Sequence, residues 1–143
     1  MLVKEVMVTN VRTIRPEDTV KDAVKIMNED LIGSLMVVSG SGEVVGILTE
    51  RDVLRDVVAT EKNPSDVKVR DIMTRKIIAV APNNTLEEAA DIMTKNKVKK
   101  LPVIFEGRIV CIVTATDLIA YEKSLIEKVS HLLVSSPMKG IGG

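Results

Sequence analysis

Two short stretches carry residues suited to chemistry: "GILTERD" at 46–52 and "CIVTATD" at 111–117. Each is an aliphatic run followed by a threonine, two variable residues and an aspartate, giving Thr49-x-x-Asp52 and Thr114-x-x-Asp117. At a helix start this spacing makes Thr the N-cap and Asp the third helical residue, and both favour helix initiation. The same atoms also suit a ligand. Unpaired N–H groups at a helix N-terminus attract phosphate, and a threonine hydroxyl can join them. A carboxylate accepts two hydrogen bonds from a vicinal diol such as that of a ribose. Spacing by itself does not separate the structural role from the binding role.

The elements that position these residues occur twice. At an offset of 66, Val3, Met7, Pro16, Thr19, Ala23, Ile26, Met27, Leu35 and Val37 fall on identical residues. At an offset of 65, Gly42, Val45, Ile47, Thr49 and Asp52 fall on Gly107, Val110, Ile112, Thr114 and Asp117. The one-residue change lies where a hairpin turn is expected, and turns tolerate it. In each copy "TIRPED" or "AVAPNN" brings a short strand to a proline, and a helix starts at Thr19 or Thr85. Thr85-x-x-Glu88 has the form of a capping box. Apolar residues at 20, 23, 24 and 27, and at 86, 89, 90 and 93, mark one helix face. "SLMVV" with "EVVGILT", and "KLPVI" with "RIVCIVT", read as β-hairpins, each followed by a helix.

The predicted fold is α/β: two pseudo-twofold-related β-α-β-β-α repeats packed sheet to sheet, since one repeat alone has too little core. Residues 1–60 form the first repeat, 61–68 a linker and 69–122 the second repeat. Residues 123–143 are a helical extension and a flexible tail.

Composition narrows the functional classes. Twenty Lys and Arg balance twenty Asp and Glu, so the chain lacks the overall basic bias of a dedicated nucleic-acid binder. Phe105 and Tyr121 are its aromatic residues, so a bound base would lie mainly against aliphatic side chains. Single Cys111, among aliphatic neighbours, suits an inert core thiol in a reducing compartment. The N-terminus shows no signal-peptide pattern and no apolar run spans a bilayer, which predicts a cytoplasmic protein. No P-loop, catalytic triad or metal-ligand cluster can be assembled.

The doubled pattern of "VKEVM" and "VRDIM" openings, x-Pro-x-x-Thr, an Ala-x-x-x-Met helix, "LPVI" and a final Thr-x-x-Asp resembles a tandem of CBS domains, the Bateman module. The match covers nearly all of residues 3–120. The resemblance implies a regulatory module that binds AMP, ADP, ATP or S-adenosylmethionine, and sometimes NAD, between its repeats. It implies no catalytic cofactor and no catalytic residue. With no catalytic domain in the chain, the expectation is a stand-alone module, not an enzyme, that acts on a separate, unidentified protein as a homodimer.

Carried over residue by residue, the first cleft takes Thr49, Asp52 and Ile47, faced by Ile77 and Ile78, with Lys99 and Lys100 reaching phosphate. The second takes Asp117, Thr114, Thr116 and Ile112, faced by Val11, Arg12 and Thr13, with Gly33 and Ser34 in place of the basic pair. Cys111 stands where the family has glycine, and Met36 where it has the proline of "LPVV". The Asp52 cleft is therefore expected to be the tighter site for a phosphorylated ligand. The alternatives are nucleic-acid binding through the Lys95–Lys100 cluster "KNKVKK", or a scaffold with no ligand. Such a charge run more often marks a solvated face. His131 reads as a helix-end charge or a packed residue rather than a metal ligand.

Overall fold

The computed structural model describes residues 1–5 and 11–135. Met7 of the repeat pattern and the tail from 136 onward lie outside these. The first repeat contains β1 (Thr13–Ile14), α1 (Val20–Asp30), β2 (Ser34–Val38), β3 (Val44–Thr49) and α2 (Glu50–Val53), which runs on as a π turn over Leu54–Val58. The second begins with one helical turn, α3 (Val69–Ile72), and continues with α4 (Leu86–Asn96), β4 (Lys100–Phe105), β5 (Arg108–Thr114) and α5 (Ala115–Ser135).

Local chemistry accounts for these boundaries. Thr19 caps α1 by accepting from the N–H of Asp22, and Thr85 and Glu88 close a reciprocal capping box on α4. The N–H of Thr85 holds the Glu88 carboxyl below its usual range. Both helices end in a left-handed residue, Leu31 and Lys97, each at φ 55°. Val20, Ala23 and Met27 bury one face of α1, and Ala89 and Met93 bury that of α4.

In the first sheet β1 runs parallel to β2, which pairs antiparallel with β3; β4 and β5 form the second hairpin. The strand expected in "AVAPNN" is not formed. A single parallel bridge, Val80 to Val103, stands in its place. Pro102 accepts from the N–H of Val80 but has no N–H to return, and Pro82 ends the extended segment. The second hairpin turns through Glu106 (φ 52°) and Gly107 (φ 78°), a pair of left-handed residues that matches strand twist.

The two cores are exchanged at their openings. Val67, Val69, Ile72 and Met73 pack with Ile14, Val20, Leu35, Val37 and Leu48 of the first repeat. Val3 packs with Val80, Leu101, Val103, Cys111 and Val113 of the second. Backbone bonds fix both exchanges: Val20 N–H to Val67 and Val69 N–H to Asp18, and, at the N-terminus, Val3 N–H to Asn84 and Leu86 N–H to Met1. The repeats also meet along their strands, where Ile47 and Thr74 exchange both backbone bonds at 2.9 and 2.8 Å. Gly46 makes that approach possible, because a Cβ there would lie 2.7 Å from Met73 Sδ and 3.0 Å from the Thr74 carbonyl oxygen.

Candidate functional site

Both Thr-x-x-Asp sequences close the same reciprocal pair of bonds. Thr49 Oγ1 accepts from the Asp52 N–H at 3.2 Å, and Asp52 Oδ2 accepts from the Thr49 N–H at 2.9 Å. At the other end Thr114 Oγ1 accepts from Asp117 at 3.1 Å, and Asp117 Oδ2 accepts from Thr114 at 3.0 Å. Each pair therefore caps the helix behind it.

Beyond the cap the two aspartates differ. Asp52 is 2% exposed. Thr74, from the opening of the second repeat, donates its hydroxyl to Asp52 Oδ1 and Oδ2 at 3.1 and 3.2 Å. Arg55 Nη2 donates to Oδ1 at 3.0 Å. Arg55 also grips Asp56, which pushes the Asp56 carboxyl down and the guanidinium up from their usual values. Both oxygens of Asp52 are thus engaged from within the protein. Asp117 is half-buried, and among the described residues its carboxylate is bonded to the Thr114 N–H alone.

Between the repeats, on the Thr114 side, opens a cleft of about 550 Å³ lined by Val11, Arg12, Asp30, Ile32, Ser34, Lys100, Ile112 and Thr114. That volume lies in the range of small-molecule sites. Its walls alternate aliphatic side chains (Val11, Ile32, Ile112) with charged and hydroxyl groups. Arg12 Nη1 lies 3.2 Å from Asp30 Oδ2. Lys100 is exposed and has no ion-pair partner among the described residues.

The structure brings Val11, Arg12, Ser34, Ile112 and Thr114 together and adds Lys100, which the sequence had put in the other cleft. Strand register explains this. Lys100 pairs with Thr114 at the end of the second hairpin, and the Ala115 N–H bonds to the Lys99 carbonyl. By the same symmetry Ser34 pairs with Thr49, and the Gly33 carbonyl accepts from Glu50. Thr13 pairs with Met36 in β1–β2. Thr116 is exposed in the first turn of α5. Ile47 is tied by its backbone to Thr74, while Ile77 and Ile78 are half-buried, Ile78 against the second core. Lys100, expected beside Asp52, thus lines the cleft on the Thr114 side.

Sequence reasoning missed Thr74, Arg55 and Asp30. Arg55 had a readable signal, three residues past Asp52 on one helix face; Thr74 had none. Burial raises the Cys111 thiol to about 11, the Asp117 charge adding to the effect, so it stays protonated at neutral pH. Among the described residues no group of three His, Cys, Asp or Glu side chains is placed to hold a metal ion, and no helix is long and apolar enough to cross a membrane.

Paired β-α-β-β-α repeats, with a helix-capping Thr-x-x-Asp at the end of each hairpin, define a CBS-domain pair. The CBS-domain family matches residues 3–59 and again 69–124, and the chain belongs to that family. An uncharacterised protein of Methanopyrus kandleri is 34% identical over 130 residues, covering 90% of this chain and 66% of that protein. An inosine-5'-monophosphate dehydrogenase of Methanocaldococcus jannaschii is 33% identical over 136 residues, covering 92% of this chain and 26% of the enzyme. This chain therefore spans less than two thirds of the length of either relative. A signal-transduction protein with CBS domains from Burkholderia ambifaria, solved as a structure, superposes with a TM-score of 0.74 at 33% identity, covering 89% of this chain and 95% of that one.

Proposed function

We propose that this chain is a regulatory module that binds an adenosine nucleotide, or S-adenosylmethionine, in the Thr114–Asp117 cleft and passes its occupancy to a separate protein. The observation that carries this reading is the open cleft between the repeats, with aliphatic walls for a base and Lys100 for an anion; Asp117, bonded to the Thr114 N–H at its edge, is the carboxylate proposed to meet a diol. The helix N-terminus behind Thr114 adds a positive end to the same cleft. The module works in the cytoplasm and catalyses no reaction. The Lys95–Lys100 cluster does not favour nucleic acid, because the chain as a whole balances twenty basic against twenty acidic residues and Lys100 lines the cleft.

A thermal-shift panel of AMP, ADP, ATP, S-adenosylmethionine and NAD tests the reading. At about one hundred times the dissociation constant a ligand adds roughly 2.7 kcal/mol, several degrees in melting temperature. If none of the five moves the transition at millimolar concentration, the proposal fails. Binding of single-stranded nucleic acid that collapses as salt rises would instead favour the lysine cluster.

The module is also proposed to work as a homodimer. Val24, Leu31, Leu54 and Val58 form an exposed apolar face on α1 and α2, and covering it with a second copy removes that surface from water. Sedimentation at high protein concentration is expected to give a dimer, and a monomer there rules it out.

A further inference from the structure

The ion pair between Arg12 and Asp30 stands in the wall of the cleft, and its helix placement is unusual. Asp30 is the last residue of α1, next to Glu29, and the last turn of that helix contains no basic residue. A carboxylate at a helix C-terminus faces the negative end of the helix dipole, so it is unfavourable on local grounds. The equivalent helix of the second repeat does the opposite, with Lys95 in its last turn and Asn96 at the position of Asp30. A local rule broken in one repeat and kept in the other points to a role outside helix stability.

That role follows from charge in the cleft. Two cations line it, Arg12 and Lys100, and one of them is already held by Asp30. Among the described residues Lys100 remains as the unpaired cation there. Each further phosphate on a nucleotide brings more negative charge into the same space, toward the Asp30 carboxylate and with no second free cation to meet it.

We infer that Asp30 is a specificity-determining residue: by holding Arg12, it sets the Thr114–Asp117 cleft to accept an adenosine monophosphate and to reject the triphosphate. This rests on the proposed function and deepens it. The pair is partly exposed, with side-chain exposures of 51% for Arg12 and 30% for Asp30, so the discrimination is of moderate size and falls with salt.

Calorimetry of the whole chain with AMP and with ATP, at low salt and without divalent cations, tests it in wild type and in Asp30→Asn. The variant installs the residue that the second repeat carries at this place and removes an acid from a helix C-terminus, so the fold is retained. Wild type is expected to bind AMP about tenfold or more tighter than ATP, and Asp30→Asn to tighten ATP by about tenfold and narrow the gap. Wild type binding ATP as tightly as AMP overturns the inference. So does a preference for AMP that survives unchanged in Asp30→Asn, because the selectivity then lies elsewhere. Both results leave adenosine-nucleotide binding standing. Failure of both nucleotides to bind overturns the inference, and failure of ADP, S-adenosylmethionine and NAD as well overturns the proposed function with it.

Discussion

Asp52→Ala is expected to lower the melting temperature by about 10 °C, whereas Asp117→Ala costs only about 3 °C. The two residues occupy equivalent positions, so the difference isolates what surrounds them. Removing either carboxylate loses one side of a capping box, worth about 1 kcal/mol. At Asp52 the loss also strips the Thr74 hydroxyl of its acceptor and breaks a part-buried contact that joins the repeats. Hydrogen bonds to a charged group such as this carboxylate contribute about 1.5–3 kcal/mol. The Arg55 contribution is discounted because that side chain is 54% exposed. A total near 3 kcal/mol, at about 3 °C per kcal/mol for a domain of this size, gives the figure. Differential scanning calorimetry of the two variants measures it directly. Equal losses would show that the Thr74–Asp52 contact contributes nothing to stability.

Lys100→Ala is expected to weaken AMP binding by about ten- to a hundredfold and to leave adenosine binding nearly unchanged. A charge-assisted contact to phosphate is worth about 1.5–3 kcal/mol, which corresponds to that factor. Lys100 begins β4 opposite Thr114, so its side chain serves the same cleft as the helix behind Thr114. The exposed position makes a folding defect small. Titration calorimetry with both ligands separates the cases: if adenosine weakens as much as AMP, Lys100 shapes the cleft without meeting phosphate.

Much of this was legible in the sequence, and for identifiable reasons. Identical residues at constant offset exposed the repeat, and Thr85-x-x-Glu88 announced a cap that forms as expected. Hairpins were readable because strand periodicity and turn residues are local signals. The contents of each cleft were not. Lys100 lines the cleft on the Thr114 side, and a basic residue beside a strand does not say which neighbouring cleft it enters; register decides that. Thr74 looks like an ordinary polar residue after Met73, and its hydroxyl gains meaning only when Gly46 lets the two repeats approach. The openings mislead in a similar way. "VKEVM" and "VRDIM" announce apolar side chains without naming the core that receives them.

The exchange of those openings sets an order of events during synthesis. Chains emerge from the ribosome N-terminus first. Val3 is made before either repeat is finished, yet the core that receives it is completed by Leu101, Cys111 and Val113, made some hundred residues later. The first core, in turn, lacks Val69, Ile72 and Met73 until the start of the second repeat has been made. The first repeat therefore cannot complete its core until the opening of the second has been made, and Val3 waits for its core until the second hairpin has been made. For a chain built by doubling a small unit, neither core closes until segments from both copies have been made.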